Sequence, residues 1–308
     1  FSLIQERIAW MDEHGINGWN HADYTSVYPL KHYRQILPDL FVLQDTQTNE
    51  ILCAGALYDT DDRWEAPESA YYLHHFTSKV GSSQAGTEFL QYAENYARCQ
   101  GKAYLRLDSA KKTRQLAAYY ERHGYLPVGT CSDGSYQGIL WEKKLDAFTV
   151  RTATTEDLDQ ISSVEAACFP AAEAAARVQF AARLHSYPDH FWLMFDGEKL
   201  ISFVNGFATN EPNLRDEMYE NAALHDPKGA WQMIFGVNTL PQYRHLGCAD
   251  RLLRQAIQDA KAQGRNGLVL TCKDHMLHYY SKFGFQNEGV SENSTHGNVT
   301  WNQMRLTF

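Results

Sequence analysis

The chain lacks any apolar run approaching the roughly 20 residues that a membrane-spanning helix requires. Its opening, FSLIQERIAW, has no basic stretch followed by an apolar one, so neither a membrane segment nor a secretory leader is expected. Cysteine is sparse: six in 308 residues (Cys53, Cys99, Cys131, Cys168, Cys248, Cys272), none in a C-x-x-C pair and four in apolar or helical surroundings. That argues against a disulfide framework and for a reduced, cytoplasmic setting, in which the sequons at Asn293 and Asn298 carry no meaning. No metal site is expected. Positive charge is in deficit, with 28 Lys and Arg against 37 Asp and Glu, a net charge of −9. Nucleic acid, whose phosphates want a basic stripe, is therefore not expected as a partner, whereas a cationic small molecule such as an amine is compatible.

What is present is an ordinary globular composition, 44% hydrophobic and 21% charged. The length suits two domains of about 150 residues. The chain also repeats itself. Asp39 to Asp59 and His190 to Asn210 each read as apolar strand, polar turn, apolar strand, the second with Asp196-Gly197 at its turn. Each hairpin leads to a third strand (AYYLHHFTS, then WQMIFGVNT), a loop (SKVGSSQAG, then LPQYRHLGCA) and an amphipathic helix. The helical stripes are Phe89, Tyr92, Ala93, Tyr96 and Leu253, Ala256, Ile257, Ala260. Gly101 and Gly264 suit the helix ends. A short strand follows (AYLRL, then GLVLT), then YYERHGY or YYSKFGF. The glycines of those last motifs, Gly124 and Gly284, lie 160 residues apart, and the loop residues Gly86 and Ala249 lie 163 apart. Near-constant offset over six ordered elements predicts a duplicated domain, with units 1–146 and 147–308.

The loop Arg244-His245-Leu246-Gly247-Cys248-Ala249 enters a predicted helix carrying a cation, a glycine and small residues. Unpaired N–H groups and the positive end of a helix dipole make such a turn a site for a pyrophosphate. In this context the loop resembles the R-x-x-G-x-G/A signature of the GNAT superfamily, the Gcn5-related N-acetyltransferases. The C-terminal half resembles the arylalkylamine N-acetyltransferase branch through VEAACFPAAEAA, YRHLGCADRLL, VLTCKDHMLHYYSKFGFQNEG and STHGNVTWNQM. The N-terminal half resembles a GNAT domain through IAWMDEHGINGW, DDRW, AYYLHHF, LRLDS and LAAYYERHGY. Its loop departs from the pattern: no Arg starts Gly81-Ser82-Ser83-Gln84-Ala85-Gly86, and Gln84 stands where glycine is usual. That half is expected to be a weak binder or a retired copy.

The resemblance implies an α/β (α+β) fold class, two GNAT folds each with a mixed, mostly antiparallel sheet flanked by helices. It implies acetyl-CoA as the donor and the primary amine of a small molecule as the acceptor. It assigns the donor site to Val237, Asn238, Thr239, Arg244, His245, Leu246, Gly247, Cys248, Ala249 and Asp250, with backbone N–H groups of Val237 and Asn238 facing the oxyanion. Tyr280, four residues before Gly284, takes the place of the family's general acid, and Tyr120 is its N-terminal counterpart; Tyr279 would point elsewhere. The two histidines that the serotonin-type enzymes use as base correspond to Met233 and Phe235 here, so no base carries over. Glu165, Glu173, Asp216 and Glu217 are acidic candidates, with Glu165 the chosen one. His74 and His75, on the third strand of the first copy, read as half-buried strand residues. Cys168 and Cys248 have no His-Asn or His-Asp partner pattern and read as small hydrophobes. The alternative function is an acyl-CoA sensor with one or both copies silent, and a homodimer is compatible with either.

Overall fold

A computed structural model describes residues 1–16, 18–20, 23–65, 68–82, 84–134, 136–294 and 299–308. Ser83 of the first loop, the sequon residue Asn298 and residues 295–298 of the tail motif lie outside the described residues. The chain divides into two units, Phe1–Ala147 and Phe148–Phe308. Among the described residues no helix is long and apolar enough to cross a membrane.

The first unit begins with α1 (Ser2–Glu13), α2 (Tyr24–Val27) and α3 (Leu30–Gln35). Strands β1 (Leu40–Gln44), β2 (Ile51–Tyr58) and β3 (Ala70–Ser78) follow, then α4 (Ala85–Cys99), β4 (Tyr104–Ala110), α5 (Arg114–Arg122), β5 (Leu126–Asp133) and β6 (Tyr136–Lys144). The Asp45 carboxylate accepts the N–H groups of Gln47 and Thr48 and so builds the β1–β2 turn. The sheet order is β1-β2-β3-β4-β6-β5. Only β3 and β4 are parallel, because α4 carries the chain across between them. The apolar stripe of α4 (Phe89, Leu90, Ala93, Ala97) is buried in one cluster with Leu57, Leu73, Leu105 and Leu107. Buried Arg106 is held by Glu142 at 2.6 Å and Glu68 at 3.1 Å.

The second unit runs β7 (Thr149–Thr152), α6 (Leu158–Cys168), α7 (Arg177–Ser186), β8 (Phe191–Asp196), β9 (Lys199–Thr209), α8 (Glu217–Glu220), β10 (Trp231–Thr239), α9 (Cys248–Ala262), β11 (Gly267–Cys272), α10 (Leu277–Ser281), β12 (Gln286–Val290) and β13 (Asn302–Thr307). Its order, β12-β13-β11-β10-β9-β8-β7, repeats that of the first unit with one added edge strand. From α6 and α7, Ile161, Val164, Phe180 and Leu184 join Phe191, Leu193, Phe203, Phe207 and Met233 of the strands in one core. α9 is tied to β8 where Trp192 Nε1–H donates to Asp259 at 2.6 Å.

Both sheets fork. β10 pairs with β11 only from Trp231 to Ile234; a bulge falls at Phe235, and the remainder of β10 pairs with β9 alone. β3 likewise pairs with β4 only as far as Leu73, and its register against β2 shifts around His75, whose φ is +53°. In the second unit the bulge presses strands together: a Cβ on Gly206 would stand 1.7 Å from the Met233 carbonyl oxygen, so only glycine fits there.

Candidate functional site

The sequence that enters α9 makes a turn with two left-handed residues, His245 and Gly247. Arg244 is extended, His245 has φ +64°, and Gly247, the residue before the helix, has φ +82°, a left-handed conformation that glycine adopts without strain. Gly247 has no side chain and so makes no side-chain cap at the start of this 15-residue helix. Arg244 is exposed, and its Nε donates to the Thr239 carbonyl at 3.3 Å. Cys248 is buried in the first turn, and the Asp250 carboxylate accepts the Tyr279 hydroxyl at 2.7 Å. That bond anchors α10 to the start of α9.

The arms of the fork supply the second part. Leu240 N–H bonds the Ile201 carbonyl at 2.9 Å. An antiparallel ladder alternates, so Asn238 and Gly236 also turn their main-chain groups to β9 while Val237 and Thr239 turn theirs into the fork. The Thr239 carbonyl is occupied by Arg244 and by Cys168 Sγ at 3.3 Å. Val237 thus offers an N–H toward the fork. Asn238, expected to offer its N–H as well, points that group at the neighbouring strand and brings its side chain to the α6–α7 face instead.

Opposite, Tyr219 packs on Phe235 with ring centroids 4.9 Å apart and shares a hydrogen bond with Thr271 at 3.2 Å. Tyr280 is buried; burial, with Cys272 and Tyr219 beside it, pushes its phenol well above the usual range. It remains protonated at neutral pH. Tyr120 in the first unit is buried among Tyr119, Tyr125 and Trp141 and shifted the same way, chiefly by burial.

On the α6–α7 face the site is polar and incompletely bonded. Glu165 is buried, and its Oε1 accepts Ala175 N–H at 2.9 Å. Burial raises the carboxyl above its ordinary value, against the opposing pull of that N–H, the Arg183 charge and the nearby Asn238 amide. Neither end of the Asn238 amide reaches a hydrogen-bond partner, nor does Asn205 Nδ2. Both residues are at most 1% exposed. They converge over Gly236: a Cβ there would meet Asn205 Oδ1 at 2.9 Å and Asn238 Nδ2 at 3.1 Å. Unpaired buried amides are costly unless a water or ligand group completes them. Sequence reasoning named Asn238 only for its backbone and missed Asn205; the missed signal is a polar residue at a strand position otherwise buried and apolar. Among the other acids, Glu173 pairs with Lys273 at 2.9 Å, while Asp216 and Glu217 start α8.

The chain of the first unit makes a different turn. Gln84 precedes α4 in right-handed conformation, φ −96°, again without a side-chain cap. The buried Tyr119 hydroxyl lies 3.3 Å from where a Cβ on Gly86 would be. Gln84 thus replaces the left-handed glycine, and a phenol crowds the first turn.

Residues 149–287 match the family model described as the acetyltransferase (GNAT) domain. The second unit therefore carries a GNAT acetyltransferase domain, and the fold class expected for the two halves is the one observed. Among solved structures, similarity extends to a GNAT-like decarboxylase, GphF, in complex with isobutyryl-CoA (20% identity, 52% of this chain and 98% of that one, TM-score 0.46). It extends also to the ribosomal-protein-S18-alanine N-acetyltransferase of Escherichia coli (15%, 52% and 93%, TM-score 0.39) and to the PaiA N-acetyltransferase of Thermoplasma acidophilum in complex with coenzyme A (14%, 53% and 99%, TM-score 0.40). No curated protein matches the chain.

Proposed function

We propose that the second unit transfers acetyl from acetyl-CoA to the primary amine of a small molecule. The observation that carries this reading is the juxtaposition of a helix start behind left-handed Gly247, which makes no side-chain cap, with a forked sheet that has Val237 on one arm and Tyr280 beside the other. The resemblance of this half to arylalkylamine N-acetyltransferases supports an amine as acceptor. The turn fits the donor's chemistry: N–H groups and the exposed Arg244 suit a diphosphate, and small residues permit close approach. When bound, the donor supplies an activated thioester.

The chain's own residues then have separable tasks. Val237 N–H donates to the oxygen that gains charge in the transition state. A raised carboxyl at Glu165 suits proton abstraction from the acceptor ammonium, at Oε2, since Oε1 is held by Ala175. Asn205 and Asn238 complete their amides on the acceptor or on a water between it and Glu165. Tyr280 donates a hydrogen bond to the leaving sulfur. Its raised pKa makes it a persistent donor and makes tyrosinate a poor resting product beside a thiol of ordinary pKa about 8.5. Its role is thus to hold a hydrogen bond to the developing thiolate while keeping its own proton.

The test is thiol release from acetyl-CoA against a panel of primary amines. Amine-dependent release, reduced about 100-fold in kcat by Tyr280→Phe with CoA affinity kept, supports the reading. Tight CoA binding with no release for any amine would replace it with a sensor.

A further inference from the structure

α7 and the residue after it turn one stripe to the sheet of the second unit: Phe180, Arg183, Leu184 and Tyr187, all buried. One member of this stripe is a guanidinium, 3% exposed, where the spacing calls for an apolar side chain. The rings on either side fix its place. Phe180 packs on Phe203 with centroids 6.0 Å apart, and Tyr187 packs on Phe207 at 5.8 Å. Asn205 lies between Phe203 and Phe207 on the same face of β9, as Arg183 lies between Phe180 and Tyr187 along the helix. The helix therefore sets Arg183 opposite Asn205. Its Cζ is 5.1 Å from the ring centre of Phe235, the residue at the bulge where β10 leaves β11.

Arg183 stays charged when buried, yet its bonding is incomplete. Nη2 donates to the Tyr219 carbonyl at 2.5 Å, while Nε has no partner among the described residues. Glu165 lies within reach of its charge but accepts Ala175 N–H instead. The buried Tyr187 hydroxyl is unpaired as well. With the amides of Asn205 and Asn238, five buried polar atoms on this face lack a partner: Arg183 Nε, Tyr187 Oη, Asn205 Nδ2, Asn238 Nδ2 and Asn238 Oδ1. The three nitrogens can only donate, and the hydroxyl can also donate; Asn238 Oδ1 alone is restricted to accepting. A plain amine brings donors and a single lone pair, and that lone pair is spent on the thioester. A carboxylate brings two oxygens that only accept, and the charge that a buried guanidinium lacks.

We propose that the acceptor is an amino acid, carrying a carboxylate beside its amine, and that Arg183 and the Tyr187 hydroxyl bind that carboxylate. The inference rests on the acetyl-transfer reading and narrows its substrate class. The acceptor lies between two poles, its ammonium at Glu165 Oε2 and its carboxylate on Arg183 Nε–H and the Tyr187 hydroxyl. An alkylamine leaves the guanidinium buried and unpaired, and the site rejects it by the cost of that unmet donor.

Thiol release from acetyl-CoA by the full chain tests this, with each common L-amino acid set against the amine in which hydrogen replaces its α-carboxylate. The best acceptor should carry the carboxylate, and its carboxylate-free counterpart should react with kcat/KM lower by about 100-fold or more. Arg183→Met, close in volume and uncharged, should lower kcat/KM for the amino acid by about 100-fold and change that for the amine less than about threefold. Tyr187→Phe, which loses only a hydroxyl, should shrink the preference by about tenfold. An amine that reacts as well as its amino acid, or a preference that survives both substitutions, would overturn the proposal. Release that ignores the carboxylate removes this inference alone; no release with any compound removes the transfer reading, and this inference with it.

Discussion

Replacing Gly247 separates what its backbone does from what its missing side chain does. The residue sits at φ +82° at the head of α9. Any L-residue there pays about 1–2 kcal/mol for the left-handed conformation. For a unit of this size each kcal/mol lowers Tm by about 2–4 °C, so Gly247→Ala should melt about 2–8 °C lower. The N–H groups remain, and CoA affinity should change less than about threefold in Gly247→Ala. Gly247→Glu adds the same strain and a carboxylate at about 5 Å from the expected diphosphate. With an effective dielectric of about 20 to 80 that repulsion is about 1–3 kcal/mol, or about 5- to 150-fold in Kd. The same charge introduced by Gln84→Glu at α4 should leave CoA binding unchanged. Calorimetric titration with CoA gives the affinities and differential scanning calorimetry the melting temperatures. Equal loss of affinity in Gly247→Ala and Gly247→Glu, or in Gly247→Glu and Gln84→Glu, would refute the assignment of the diphosphate to this turn.

Other substitutions probe the frame. Gly206→Ala drives a Cβ onto the Met233 carbonyl and should cost at least about 3 kcal/mol in the second unit, read by urea unfolding. Removing Arg106 by substitution with Ala strands Glu142 in the first unit and should cost about 3–5 kcal/mol, whereas Arg106→Met should cost less. His75 is pushed down to about 3, first by burial and then by the charges of His32, His74 and Arg63. Its unfolded form binds a proton below its ordinary value of 6.5 while the native form does not, so stability is full above that value and falls as pH drops towards about 3. His75→Asn, which tolerates the positive φ and does not titrate, should flatten that slope by up to about 1.4 kcal/mol per pH unit. An unchanged slope in urea titrations across that window would remove His75 from the account.

The repeated order of strands and the helix α9 were readable because both rest on local patterns. The stripe Leu253, Ala256, Ile257, Ala260 fixes α9, and Gly247 marks its start by the conformation only glycine takes easily. The fork was not readable. It depends on where β10 and β11 stop pairing, a tertiary event that no residue between Ile234 and Gly236 announces. The facing amides of Asn205 and Asn238 come from different strands and meet only through the bulge at Phe235. A cleft in the first unit joins segments around residues 58–63, 74 and 130–133, which sequence order keeps far apart. His74 therefore reads along the chain as one more strand residue, and its partner Asp61 becomes visible only once the loop after β2 is folded.

A crystal structure of the full chain with CoA would decide the central claim. The diphosphate should rest on the N–H groups from Gly247 to Asp250, and the sulfur should lie in the fork within hydrogen-bonding reach of the Tyr280 hydroxyl. CoA seated at the start of α4, or a thiol end that leaves Tyr280 out of contact, would contradict it.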